Sequence, residues 1–172
     1  MTELAAFATT GAPHGGWQRA VVRDVSHATE GTVVLRLDVA HRVPHLPGQR
    51  VVVRLTAPDG YQASRSYSIA SAPSDELVEL CVERVDDGEV STHLVDVVQP
   101  GDELEVRGPV GGWFVWDGET PALAIGGGTG VVPLVSMLRH AREHGIEERV
   151  CLVGAGRTLR ALPYAEEIAH GC

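Results

Sequence analysis

The sequence predicts an antiparallel six-stranded Greek-key β-barrel followed by a partial doubly wound parallel α/β lobe. Three observations lead there. Between residues 17 and 116, short segments alternate apolar and polar residues with period two, and turn residues recur between those segments. After Thr120 the pattern changes to a continuous apolar run, a glycine-rich turn and a helical stretch. Twenty glycines and ten prolines in 172 residues suit a turn-rich β architecture rather than a helix bundle. The alternation taken alone fits a β-sandwich as well as a barrel.

Residues 1–16 have neither the basic start nor the apolar centre of a secretory signal and read as a flexible tail. From Trp17 the period-two pattern sets in. Val33, Leu35, Leu37 and Val39 share one strand face, with Arg36 and Asp38 on the other. Val51, Val53 and Leu55 repeat the pattern after Leu46-Pro47-Gly48-Gln49, and the run through Arg65 and Tyr67 repeats it after Asp59-Gly60. Val78, Leu80 and Val82 alternate with Glu79, Cys81 and Glu83; Leu104 and Val106 alternate with Glu103, Glu105 and Arg107. Pro58-Asp59-Gly60, Asp86-Asp87-Gly88 and Pro100-Gly101-Asp102 punctuate the strands.

Beyond Thr120, Ala122–Ile125 is continuously apolar, which predicts a strand buried on both faces. Gly126–Gly130 forms a turn. Val131–His144 then carries Val131, Leu134, Val135, Leu138 and Ala141 at helical spacing, with Pro133 in the first turn and Gly145 at the stop. Val150–Val153 predicts a second parallel strand, and Pro163–His170 the start of another helix. The stretch beyond Thr120 has room for little more than one βαβ unit, which needs roughly 30 residues. The expected organisation is therefore a tail (1–16), a barrel domain (17–116) and the N-terminal part of an incomplete α/β domain (117–172). The chain reads as a fragment, or as one half of a split protein.

A net charge of −9 argues against non-specific nucleic-acid binding, and no apolar run reaches the roughly 20 residues of a membrane span. Cys81, Cys151 and Cys172 are too scattered for a disulfide framework or an iron–sulfur set, which makes a reducing, cytoplasmic setting the simplest reading. His41 with His45, and His140 with His144, stand four residues apart. With no carboxylate or cysteine completing either pair at ligand spacing, no metal site is expected.

The chemistry is concentrated in Arg65-Ser66-Tyr67-Ser68. On a strand, Arg65 and Tyr67 share a face and Ser68 lies on the other. An arginine grips phosphate bidentately, a tyrosine lies against a flat ring, and a serine hydroxyl reaches a ring nitrogen. Together they read as a seat for a flavin nucleotide. Downstream, Gly88 permits a tight turn and Ser91 can cap a short helix running toward Val98, whose N-terminus would favour a phosphate. Two phosphate anchors favour FAD over FMN. Gly126-Gly127-Gly128-Thr129-Gly130, between a strand and a helix, lets bare backbone approach a pyrophosphate. It is not the Gly-x-Gly-x-x-Gly fingerprint, because Val131 takes the last place. After the second strand come Arg157 and Thr158, where an arginine suits a ribose 2′-phosphate.

Taken in order, Arg65-Ser66-Tyr67-Ser68, Gly88-Glu89-Val90-Ser91, Gly108-Pro109-Val110-Gly111 and Gly126-Gly127-Gly128-Thr129-Gly130 resemble the ferredoxin–NADP reductase superfamily. The resemblance implies an FAD-binding barrel joined to an NAD(P)-binding lobe. It implies that Arg65 meets the flavin phosphates, Tyr67 packs on the isoalloxazine, and Ser68 reaches its N5 edge. It further implies backbone contacts from Val82 and Arg84 to the ribityl chain, and phosphate contacts around Gly88, Val90, Ser91 and Thr92. Gly127, Gly128, Thr129, Gly130 and Pro133, with Arg157 and Thr158, would then serve the nicotinamide nucleotide. Ser68 and Thr129 would orient the reacting rings as the catalytic pair. Trp113 stands where the family has phenylalanine, and Trp113, Phe114 and Trp116 are expected to pack between domains. The implied activity is hydride transfer from NADPH or NADH to FAD, then electron transfer to an acceptor protein such as a ferredoxin, another iron–sulfur protein or an oxygenase component. Two other readings stay open: a flavin-binding electron-transfer module without NAD(P)H activity of its own, and a cofactor-free interaction barrel.

Overall fold

Valines and leucines at every second position give each barrel strand one face that gains by leaving water, and curling the sheet lets all those faces share one core. The computed structural model describes residues 16–169; positions 1–15 and 170–172, and with them the expected tail, His170 and Cys172, lie outside the described residues. In chain order the elements are β1 (Gln18–Thr29), β2 (Thr32–Val39), β3 (Arg50–Thr56), β4 (Gln62–Ser68), β5 (Val78–Glu83), α1 (Glu89–Asp96), β6 (Glu103–Val110), β7 (Ala122–Gly127), α2 (Val132–His144), β8 (Val150–Ala155) and α3 (Ala165–Ala169). The first six strands form an antiparallel sheet ordered β4-β3-β6-β1-β2-β5. A bridge between Ile69 and Leu80, and the hydrogen bond from Ala70 N–H to the Glu79 carbonyl (2.8 Å), join β5 to the chain leaving β4 and close the barrel. The strand β6, last in sequence, sits between β3 and β1, which is the Greek-key feature.

Val22, Val33, Leu35, Leu37, Val53, Leu80, Val82 and Val106 fill the interior, and α1 covers it with Val90 and Leu94. The expected faces of β2 hold. On β5 the expected alternation holds only in part, because Glu79 and Cys81, placed on the outer face by their spacing, are buried as well. The reason is tertiary. The outer surface of β2 and β5 packs on α2 through Val34, Ala70, Cys81 and Val132, with Tyr164 alongside.

In the α/β part, β7 and β8 pair in parallel, Ala122 opposite Val150 and Ile125 opposite Val153. Pro133 lies in the first turn of α2, and Gly145 ends that helix in the left-handed conformation (φ 62°), as its position after His144 predicts. Gly126 is required by packing: a Cβ there would meet the Gly130 carbonyl oxygen and Leu134 Cδ1, each at 2.9 Å. One expectation fails. Only one face of β7 is covered, by Ala124 against α2, while Leu123 (67 % exposed) and Ile125 (68 % exposed) face out beside Val153. Two strands with α2 and α3 supply one layer of cover, so a doubly apolar strand keeps a bare side.

Cys81 is a free buried thiol, its pKa pushed up to about 12 chiefly by burial. Trp116 is buried in the α/β core and anchors the passage between the two parts. Its indole N–H donates to the Thr120 carbonyl (2.7 Å) and its backbone N–H to Pro47 (3.1 Å). Trp113 and Phe114 are exposed, so of the three aromatics expected to pack between domains only Trp116 does. They stand just beyond the last barrel strand, on a turn that no described element covers.

Candidate functional site

Two groups of side chains emerge, one on the barrel and one in a cleft beside the glycine turn. The barrel group grows from β4. Its pairing with β3 sets Arg65 opposite Val53, Tyr67 opposite Val51 and Ser68 opposite Arg50. Tyr67 packs its ring on the barrel core, yet its hydroxyl is buried with no hydrogen-bond partner, and burial pushes the phenol up to about 12. An orphaned buried hydroxyl is costly and asks for an explanation. Arg65 is exposed; its Nη1 donates to the neighbouring Ser64 carbonyl (2.7 Å), and no carboxylate among the described residues pairs with it. Ser66 is exposed and Ser68 half-buried.

The opening of α1 lies beside this strand. Tyr61, just before β4, donates its hydroxyl to Glu89 Oε2 (3.1 Å) at the first position of α1, and the Arg65 charge reaches both Tyr61 and Tyr67. The expected cap is corrected. The N-cap of α1 is Gly88, without a side-chain cap, and Ser91 lies inside the helix. Ser91 Oγ instead accepts from Val85 N–H (3.3 Å), and both Ser91 and Thr92 hydroxyls turn back on the Gly88 carbonyl. The chain starts the helix three residues earlier because Gly88 accommodates the turn, and any Cβ there would strike Ser91 Oγ. The first-turn N–H groups still have no partner within the helix. Val90 and Val82 point into the barrel core, and Arg84 pairs with Asp86 (2.7 Å) and Asp96 (3.1 Å).

The second group lines a cleft of about 710 Å³ between the β1–β2 turn and the ends of β7 and β8. It brings together Gly128, Thr129, Arg157 and Thr158, all singled out by sequence, with Glu83 and Arg160, which were not. Thr129 donates to Glu83 Oε2 (3.0 Å), tying the glycine turn to the barrel. Gly128 (φ 52°) and Gly130 have open space where a side chain would stand, and the chain passes from Gly128–Val131 directly into α2. Gly127 and Pro133 flank the turn outside the cleft lining. Arg160 follows Arg157 by three residues, a basic pair that the sequence displays plainly. Glu83 carried no signal, being one more acid in an alternating strand.

Between the groups runs a buried polar seam. Glu79 accepts from Arg139 Nη1 (2.8 Å) and Tyr164 hydroxyl (2.9 Å), with Arg36 Nε at 3.4 Å. Arg139 also grips Glu167 bidentately, Nε to Oε1 at 2.9 Å and Nη2 to Oε2 at 2.8 Å. Burial works against the Arg139 charge, but these two carboxylates outweigh it and raise its pKa. Burial, reinforced by Glu79, raises that of Tyr164. Ser136 donates to the Ser71 carbonyl (2.7 Å), which His45 Nε2 also approaches (3.0 Å). Such a seam fixes how the glycine turn faces β4 and β5.

An antiparallel six-stranded barrel closed on itself and joined to a partial parallel α/β part is a fold of the ferredoxin reductase type. The comparisons agree. Residues 20–115 match the family described as oxidoreductase FAD-binding domain, and the chain belongs to it. It is 31 % identical over 88 % of its length to the ferredoxin–NAD(P)(+) reductase component of the naphthalene 1,2-dioxygenase/salicylate 5-hydroxylase systems of Ralstonia sp., covering 45 % of that protein. To the ferredoxin reductase component of 3-ketosteroid-9-alpha-monooxygenase of Rhodococcus rhodochrous it is 32 % identical over 93 % of its length, covering 47 %. The fold matches that of the FAD/NAD-binding domain of nitric oxide dioxygenase from Vibrio cholerae with a TM-score of 0.80 at 24 % identity, over 88 % of this chain and 68 % of that one. The chain thus spans about half the length of these curated relatives. Among the described residues, no helix is long and apolar enough to cross a membrane.

Proposed function

We propose that this chain seats FAD on the barrel, residues 17–116, and presents a nicotinamide nucleotide to it at the glycine turn of residues 117–172. Reducing equivalents would pass from NAD(P)H through the flavin to an acceptor protein. The observation that carries the reading is the β4 pair: Arg65 lacks a carboxylate partner among the described residues and Tyr67 has a buried, unpartnered hydroxyl, beside the opening of α1. The residues fit the cofactor. Arg65 neutralises one phosphate, and the free N–H groups from Glu89 to Ser91 receive the other. Tyr67 lies against the ring and Ser68 donates at its reactive edge, with Ser66 holding the strand between them. Bound flavin supplies the two-electron to one-electron chemistry; the protein supplies position and exclusion of water.

On the α/β side, Gly127, Gly128 and Gly130 let the backbone approach the nucleotide, and Pro133 stiffens the helix entry behind them. Arg157 and Thr158 line the cleft where its ribose end would lie. Thr129, anchored to Glu83, orients the nicotinamide from the turn. The names of the relatives, reductase components of oxygenase systems, support an iron–sulfur protein or an oxygenase component as acceptor. Titrating apoprotein with FAD tests the seat: Arg65→Ala should weaken binding about 10- to 100-fold, since one charge-assisted contact contributes about 1.5–3 kcal/mol. Unchanged affinity refutes the assignment. A second reading, a flavin module without NAD(P)H activity of its own, is favoured by the bare face of β7 and β8. Anaerobic mixing of the flavin-loaded chain with NADH and NADPH separates the two, because bleaching of the yellow colour requires a working nucleotide site.

A further inference from the structure

The last two turns of α2 hold a cluster that the flavin chemistry does not use. His140, Glu143 and His144 each offer a ligand atom, and the three atoms lie within 4.8 Å of one another. The sequence-based expectation of an uncompleted histidine pair overlooked Glu143, one residue before His144. In an α-helix, residues three and four apart share a face, so 140, 143 and 144 converge there. Donor atoms around a tetrahedral zinc ion at about 2.0–2.2 Å stand roughly 3.4 Å apart, so closing from 4.8 Å asks about an ångström of side-chain rotation.

Each donor is already oriented by a partner. His144 Nδ1 lies 2.8 Å from the His140 carbonyl, which fixes that nitrogen as the protonated one and leaves Nε2 with its lone pair free. His140 takes a backbone hydrogen bond at Asp117, while its Nδ1 is buried with no partner. Glu143 Oε1 accepts from Ser74 on the loop between β4 and β5. Ligand histidines typically bond a carbonyl through their second nitrogen, and ligand carboxylates are typically held by an outer donor. The two rings stand 4.2 Å apart, and the negative end of the α2 dipole lies at the same place.

We propose that His140, Glu143 and His144 form a binding site for a borderline-soft divalent cation, Zn²⁺ above all, with the remaining coordination position open to water. Two imidazoles and one carboxylate select such an ion and reject Mg²⁺, which asks for an oxygen octahedron. Through the Ser74 contact to Glu143 and the Asp117 contact to His140, the ion would tie the end of α2 to the barrel loop and to the passage between the two parts of the chain. The site needs neither flavin nor nicotinamide, so its test is independent of the proposed activity.

Calorimetric titration of the full chain with ZnCl₂ should show one Zn²⁺ bound per chain and a raised thermal midpoint, with no response to MgCl₂. His144→Gln and Glu143→Gln change exposed residues and should leave the metal-free midpoint unchanged. Each should weaken Zn²⁺ binding by at least about 100-fold, the upper end of what losing even an outer-shell partner costs; Ser74→Ala should weaken it about tenfold. Absence of Zn²⁺ binding, or binding that survives His144→Gln or Glu143→Gln undiminished, overturns the proposal. The second outcome would place the ion elsewhere, at a thiol for instance.

Discussion

The barrel and the α/β part solve the same problem to different degrees. Six strands curled on themselves bury one face of every strand, and a single bridge at Ile69 and Leu80 removes the open edge. Two parallel strands cannot do this. β7 and β8 cover one face with α2 and α3 and leave Leu123, Ile125 and Val153 in water. The contrast teaches that apolar sequence promises burial only where enough partner elements exist. It also locates the strength of the chain: the barrel stands on its own core, while the α/β part leans on it through the Glu79–Arg139–Tyr164 seam.

That contrast can be broken at several points. The largest effect should come from the barrel core. Leu80→Ala, at a fully buried site, should cost about 4 kcal/mol in urea unfolding, near the upper part of the usual range for such truncations. A loss below about 1 kcal/mol would mean that the barrel is loosely packed. Next comes the seam. Arg139→Met removes the closer of the two arginines paired with Glu79, whose side chain is only 8 % exposed, and leaves it Tyr164 and Arg36; the change should cost about 2–3 kcal/mol, the buried-pair value discounted for the partly exposed guanidinium and the remaining partners. Protease cleavage confined to the α/β part would show that the lobe has come loose.

A smaller, graded loss should come with acid. Burial dominates in lowering the His45 pKa in the folded protein, with Arg42 and His140 adding to it against the Ser71 carbonyl and Asp75. The unfolded chain therefore takes up this proton more readily than the folded one. The stability contributed by neutral His45 is present above about pH 6.5, the unfolded value, and is lost as pH falls through the folded pKa. His140, also lowered, acts in the same direction. Urea midpoints should drop between pH 7.5 and pH 5, and His45→Leu should flatten that slope; an equal slope in the variant removes His45 from the account. The smallest effect belongs to the bare face: Ile125→Thr should change stability by less than about 0.5 kcal/mol, since little apolar area is withdrawn from water there. A larger loss would show that this face is covered in solution.

The amino-acid order by itself determined the strands and the turns, because period-two alternation dictates which residues seek a shared interior; closure into a barrel rather than a sandwich was settled by the pairing of Ile69 with Leu80. It also marked Arg65, Tyr67, the glycine turn and Arg157, since their residue types carry their chemistry wherever they lie. Three-dimensional packing alone decided the rest. Glu79 reads as an outward acid until Arg139, 60 residues away, and Tyr164, 85 away, close over it. Ser91 reads as a cap until Gly88 takes that place, and Ala122–Ile125 reads as a fully covered strand until the cover is counted. The reason is common to all three: burial and partnership are properties of neighbours in space, and a chain states only its neighbours in line.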